Sequence, residues 1–153
     1  MDLPQDLIEL LAEFGAAQVE YLLVGGQAVG LHGIPRFTKD ADLWLRDDPE
    51  NVARAQRALA VFGAPSATID GLASARDLDV VWMGHPPARI DLMKNVPGGD
   101  FESAWSSRVT FNVGGVPISC VSREELMRLK RASGRPQDLV DVDALLGRSD
   151  RRT

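Results

Sequence analysis

Apolar positions along the chain change period several times, and each change marks an element. Leu7, Ile8, Leu11 and Phe14 recur at helical spacing between Pro4 and Gly15, which predicts an amphipathic first helix over residues 4–14. Residues 20–24 form a short apolar run with the length of a buried strand, and the small residues from Gly25 to Gly30 let the chain turn straight into a helix. Residues 41–45 and 89–93 read as two further strands. Asp48 as N-cap and Pro49 at the first helical position open a helix that buries Val52, Ala55, Leu59 and Phe62 and stops at Gly63. Residues 64–75 keep no clean period and fit a loop or a short helix.

Residues 78–83 read as a strand joined to 89–93 by Gly84-His85-Pro86-Pro87, a turn that makes the two antiparallel neighbours. Gly114-Gly115 between two β-patterned runs, 108–113 and 116–121, is a two-residue hairpin signal. Ser122 and Glu125 have capping-box spacing and start a helix that ends near Gly134. A last helix over 136–146 is expected to turn Leu139, Val142, Leu145 and Leu146 inward. The pattern as a whole predicts an α/β protein: a small mixed, mostly antiparallel sheet packed with helices, one domain over 1–147 and a polar, Arg-rich, disordered tail over 148–153.

Three of the predicted strands carry chemistry at their ends. Gly25-Gly26 follows the first strand and offers backbone N–H groups to an anion. Asp40 and Asp42 sit two residues apart at the second, so their side chains share a face about 7 Å apart. Asp91 interrupts the apolar residues of the strand at 89–93, and a buried carboxylate there needs a partner. Glycine amides for phosphate oxygens and three converging carboxylates for two divalent cations describe a metal-nucleotide site. Asp77-Leu78-Asp79 repeats the Asp-x-Asp string without a glycine turn before it, and is read as a chance match. His85 and His32 are read as turn and structural residues.

Val24-Gly25-Gly26, a spacer, Asp40-Ala41-Asp42-Leu43 and the later Ile90-Asp91-Leu92 resemble the nucleotidyltransferase superfamily, whose pattern is an apolar residue, Gly, Gly or Ser, a spacer and Asp-x-Asp. The likeness is nearest to small bacterial members: minimal nucleotidyltransferases and the transferase toxins of abortive-infection-type toxin–antitoxin pairs. It is dense from Tyr21 to Leu45, clear at Arg89–Met93 and thinner over 119–146. It implies a nucleotidyltransferase-like fold and transfer of a nucleoside monophosphate from a nucleoside triphosphate to an acceptor hydroxyl on RNA, protein or a small molecule. Asp40, Asp42 and Asp91 would be the catalytic and Mg²⁺ (or Mn²⁺) ligands. Gly25, Gly26, Gln27, Lys39 and Lys130 would bind the nucleotide, with Arg36 adding positive charge. Many members carry Ser where this chain has Gly26, so any hydroxyl role is absent or passes to Gln27. Lys130, Arg135, Asp138 and Asp141 look like the Lys, Arg and Asp that toxin-like transferases bring near the nucleotide; Arg135 and Asp138 also have the spacing of a helix ion pair. A cognate antitoxin is the partner this resemblance implies. The alternative is a nucleotide-binding or antitoxin-like protein that keeps the fold without catalysis.

Composition narrows the setting. With 153 residues, 44% of them hydrophobic, the chain is long enough to bury a real core. A net charge of -5 argues against broad, sequence-blind binding to nucleic acid. Basic residues nevertheless gather at Arg123, Arg128, Lys130, Arg131 and Arg135, which suits a solvated helix face as well as a phosphate-docking surface. The single Cys120 lies among apolar residues and forms no internal disulfide. The acidic first residues differ from a signal peptide and no run reaches membrane-spanning length, so a cytoplasmic protein is expected.

Overall fold

The computed structural model describes residues 3–35, 40–84 and 89–152, with side chains described as far as Gly147. Its elements run α1 (Gln5–Ala16), β1 (Tyr21–Val24), α2 (Gly25–Leu31), β2 (Asp40–Leu45), α3 (Pro49–Phe62), α4 (Ser66–Ser74), β3 (Val80–Met83) and β4 (Arg89–Met93). They continue with α5 (Phe101–Ser106), β5 (Val109–Val113), β6 (Val116–Cys120), α6 (Arg123–Ser133) and α7 (Pro136–Arg152). The strands form one sheet in the order β3-β4-β2-β1-β6-β5. Pairs β1/β2, β3/β4 and β5/β6 are antiparallel, while β1/β6 and β2/β4 are parallel, so the sheet is mixed with antiparallel pairs in the majority.

Alternation along the strands sorts the two faces. Tyr21, Leu23, Leu43 and Leu45 face the buried stripe Leu7, Leu10, Leu11 and Phe14 of α1, with the Phe14 and Tyr21 rings 5.6 Å apart. Each such buried side chain contributes about 1.5–3 kcal/mol. On the other face Trp44 is buried against Phe101 of α5, edge to face at 5.2 Å, and its Nε1 donates to the Lys94 carbonyl. Asn51, 2% exposed, ties the elements at that end: its side chain bonds both backbone groups of Glu20 and the Arg46 carbonyl.

Local signals set most boundaries. Asp48 accepts from the Asn51 N–H and Gly63 closes α3 with φ +98. Gly114 and Gly115 take φ +58 and +81, the two positive values a tight hairpin turn needs. Ser122 caps α6 by accepting from the Glu125 N–H, but the Glu125 carboxylate pairs with Arg128, so the return half of the capping box is diverted.

Four details depart from the sequence reading. Helix α1 passes through Gly15 and ends where Gln18 takes φ 60, because the Ala17 N–H still reaches the Glu13 carbonyl. A short helix that the sequence reading does not mark, α5, follows Asp100, which caps it, while residues 66–74 take the short-helix alternative left open for them. Helix α7 continues past Leu146 and Gly147 to Arg152, since polar residues sustain a helix after the apolar period ends. Its inward face also differs. Asp138, Asp141, Val142 and Leu145 are buried, while Leu139 and Leu146 are 50% and 38% exposed, because the two carboxylates turn toward buried Lys130.

Candidate active site

The sheet brings the expected carboxylates onto one face at adjacent positions. In the parallel β2/β4 pairing Asp42 stands abreast of Asp91 and Asp40 abreast of Arg89, so two-residue alternation makes a square of three acids and one base. All three acids are partly buried. Desolvation, then the charges of Asp91 and Asp40, push the Asp42 carboxyl up to about 6, against the opposing pull of Lys130 and Arg135.

Behind Asp42 lies Gly25. Val24 pairs with Asp42 across the antiparallel β1/β2 ladder, and the chain then turns into α2 with Gly25 at φ +70. A Cβ on Gly25 would stand 2.2 Å from Asp42 Oδ2, so the Asp42 carboxylate would have to move aside for it. The glycine is therefore required twice, for its backbone angle and for the room it leaves the carboxylate. Gly26 continues into the first turn of α2.

Gly25 and Asp42 form one wall of a cleft of about 160 Å³ whose other walls come from the β4 end and from α6 and α7. Met93, Val96, Pro97, Leu126 and Leu129 make it apolar on one side; Lys130, Arg135 and Asp138 make it polar on the other. Lys130 is 7% exposed and its Nζ lies 3.2 Å from Asp138 Oδ1 and 2.9 Å from Asp141 Oδ2. Arg135 Nε bonds Asp138 Oδ2 at 2.9 Å. Burial alone would raise Asp138, but hydrogen bonds from Arg135, Lys130 and Ser133 overcome it and hold the carboxyl at about 2. The helix ion pair and the cleft lining are thus the same residues.

The remaining expectations divide. Gln27 is 4% exposed and does not line the cleft; it borders a small void beside Leu7, Ala41 and Ile90. Arg36 and Lys39 lie outside the described residues, as does His85. Asp77 and Asp79 are exposed, off the strands and apart from the cleft; Asp77 has φ 51 and Asp79 Oδ2 accepts from the Arg76 N–H. His32 bonds the Val121 carbonyl at 2.8 Å and packs edge to face on Phe111, a structural role. Cys120 is buried, and desolvation pushes its thiol up to about 12, so it is no nucleophile. Arg89 is the residue that motif reasoning passes over. Its Nε donates to Asp91 Oδ1 at 2.8 Å and its guanidinium stacks 4.9 Å above the Trp82 ring. The signal was present as two charged residues of opposite sign at i and i+2 of a strand.

Among the described residues no three His, Cys, Asp or Glu side chains are clustered tightly enough to form a ready metal centre. The donor set still fits a divalent cation: three carboxylates share one face, and Asp42 is held short of full ionisation at neutral pH by its burial and its neighbours. No helix among the described residues is long and apolar enough to cross a membrane.

No family model matches the chain, and no curated protein matches its sequence. Solved structures do match its shape. A candidate nucleotidyltransferase from Thermotoga maritima is 13% identical, with 93% of this chain and 91% of that one aligned at a TM-score of 0.63. The lincosamide antibiotic adenylyltransferase LnuA, solved with lincomycin, is 18% identical over 94% of this chain and 96% of its own, at 0.60. The antibiotic-resistance factor ANT(2'')-Ia, solved with adenylyl-2''-tobramycin, is 15% identical over 91% of this chain and 84% of its own, at 0.58. The chain has the nucleotidyltransferase fold.

Proposed function

We propose that the protein is a divalent-cation-dependent nucleotidyltransferase that moves a nucleoside monophosphate from a nucleoside triphosphate to an acceptor hydroxyl and releases pyrophosphate. The observation that carries the reading is Asp42, abreast of Asp91, packed on a glycine at positive φ, and facing a cleft whose polar wall holds Lys130 and Arg135. Asp40, Asp42 and Asp91 are the residues to hold Mg²⁺ or Mn²⁺. Bound there, the cations supply positive charge to the phosphates and favour loss of the acceptor hydroxyl's proton.

The chain's own groups do the rest. Gly25 and Gly26 present backbone N–H groups to phosphate oxygens where side chains would block approach. Lys130 and Arg135 face the charge that builds on the leaving pyrophosphate, and Asp138 and Asp141 hold Lys130 in position. Met93, Val96, Pro97, Leu126 and Leu129 offer apolar contact to the base or sugar. Two structural neighbours are enzymes of adenylyl chemistry, which makes ATP the first triphosphate to try. The cellular setting we assign is the cytoplasm and, from sequence resemblance, a toxin–antitoxin pair with a cognate antitoxin. A non-catalytic nucleotide-binding partner is the second reading, favoured by the ion pair that occupies Asp91.

Incubating the protein with α-labelled triphosphates, Mg²⁺ and separated RNA, protein and metabolite fractions tests both. Label in one fraction, dependent on Mg²⁺ and lost in Asp42→Asn, supports transfer and names the acceptor class. Triphosphate binding by titration with no labelled product in any fraction favours the second reading.

A further inference from the structure

The square of side chains on β2 and β4 is unequal: three carboxylates and one guanidinium. Arg89 lies directly across from Asp40 and its Nε donates to Asp91 Oδ1. Its flat face rests on Trp82 of the edge strand, in register with Asp91 and 50% exposed. A half-exposed indole beside a group of acids offers a guanidinium a second site of attraction that does not depend on Asp91.

We propose that Arg89 is the built-in counter-ion of the carboxylate cluster, held by Asp91 and Trp82 together in the cation-free protein and left on Trp82 alone when a divalent cation takes Asp91. The inference rests on the nucleotidyltransferase reading, because it needs the three carboxylates to be the cation site. Displacement makes Arg89 a competitor: it keeps the acids together when no cation is bound, and it weakens cation binding by the strength of its own pairing. No covalent bond is made or broken in the exchange; one ionic partner of Asp91 replaces another. Arg89 is thus a positioning residue, setting the cation concentration at which the site fills.

Mn²⁺ binding, followed by the electron paramagnetic resonance signal of free Mn²⁺, tests this on the whole chain. Arg89→Gln keeps the length and a hydrogen-bond donor but removes the charge. It should bind Mn²⁺ about two- to fivefold more tightly than wild type, with a lower melting temperature in chelator, while Arg89→Lys stays within about twofold of wild type. Equal or weaker Mn²⁺ binding by Arg89→Gln, with wild type binding normally, overturns the counter-ion role and leaves the transferase reading standing. No Mn²⁺ binding by wild type, with or without ATP, removes both. A second measurement needs no change at Arg89: saturating Mg²⁺ should alter tryptophan emission in wild type, and Trp82→Phe should abolish that change. An emission that ignores Mg²⁺, or a change that survives Trp82→Phe, also overturns the proposal.

Discussion

Asp40-Ala41-Asp42 and Asp77-Leu78-Asp79 are the same three-residue pattern in opposite surroundings. The first lies on an inner strand, with Asp91 and Arg89 across the ladder and Gly25 beneath Asp42. The second spans a turn before an edge strand, and both of its carboxylates are exposed. Water screens Asp77 and Asp79 from any neighbour, whereas the sheet withholds water from Asp42 and sets a like charge beside it. An Asp-x-Asp string thus becomes a candidate site through what the fold places around it.

The widest gap between the two should appear in transfer. Asp42→Asn removes the charge proposed to hold the cation while keeping the side chain's shape, so labelled product should fall at least about a thousandfold. Asp77→Asn and Asp79→Asn should stay within about twofold. The reverse ranking would show that the wrong string had been chosen.

The glycine beneath Asp42 has no counterpart beneath Asp79. Gly25→Ala meets a positive φ and a contact of 2.2 Å to Asp42 Oδ2, and should cost about 1–3 kcal/mol of stability and most triphosphate binding. Gly115→Ala is the control: φ is +81 but nothing lies within 4 Å, so it should cost about 1 kcal/mol and leave binding intact. Melting temperatures and affinities for ATP and adenosine, measured on both, separate the cradle from the turn. Equal losses for the two ligands in Gly25→Ala would leave the glycine a turn residue only.

A third difference is in pH. The folded-state carboxyl of Asp42 is raised from 3.8 to about 6, so the native protein holds a proton there that the unfolded chain has released. Stability from this group is full below about pH 4 and is lost as pH rises through 6, by about 1–3 kcal/mol. Asp138 works in the opposite sense: its pKa is lowered to about 2, so its contribution is present above pH 4 and fades as pH falls toward 2. In chelator, Asp42→Asn should therefore melt higher than wild type at pH 7 and equal to it at pH 4, and Mg²⁺ should erase the difference at pH 7. A wild-type melting temperature that is flat from pH 4 to 7 in chelator would count against a carboxylate cluster around Asp42.

Much of this was legible in the residues. Strand alternation alone puts Asp40 and Asp42 on one face, and Gly114-Gly115, Asp48-Pro49 and Ser122 mark turns and caps through short-range chemistry. What could not be read depends on contacts distant in sequence. That Arg89 would lie opposite Asp40 follows from the β2/β4 register, which no local pattern specifies. The inward turn of Asp138 and Asp141 in place of Leu139 and Leu146 follows from Lys130 on another helix. A hydrophobic-period rule places Val142 and Leu145 on the buried face but misses the rotation that a buried ion-pair cluster imposes on Leu139 and Leu146. Gln27 shows the complementary limit: adjacency to Gly26 in sequence carried it past the cleft into the packing beside α1.

The smallest effect sharpens the comparison most, because it asks what each carboxylate is for. Asp79 Oδ2 accepts the Arg76 N–H at 3.0 Å in an exposed turn, a role that needs an oxygen and not a charge. Asp79→Asn retains such an oxygen and should change stability by less than about 0.3 kcal/mol, whereas Asp79→Ala should lose about 0.5 kcal/mol with the hydrogen bond. Neither variant should alter the stabilisation by Mg²⁺ that is expected of wild type. At Asp42 the order inverts: Asn preserves the shape, yet the charge lost is the one the cation needs, so the Mg²⁺ response should vanish in Asp42→Asn. Chemical denaturation of the four proteins, with and without Mg²⁺, supplies the comparison. An Asp79→Asn protein that lost its Mg²⁺ response would place a cation at the turn and undo the distinction between the two strings.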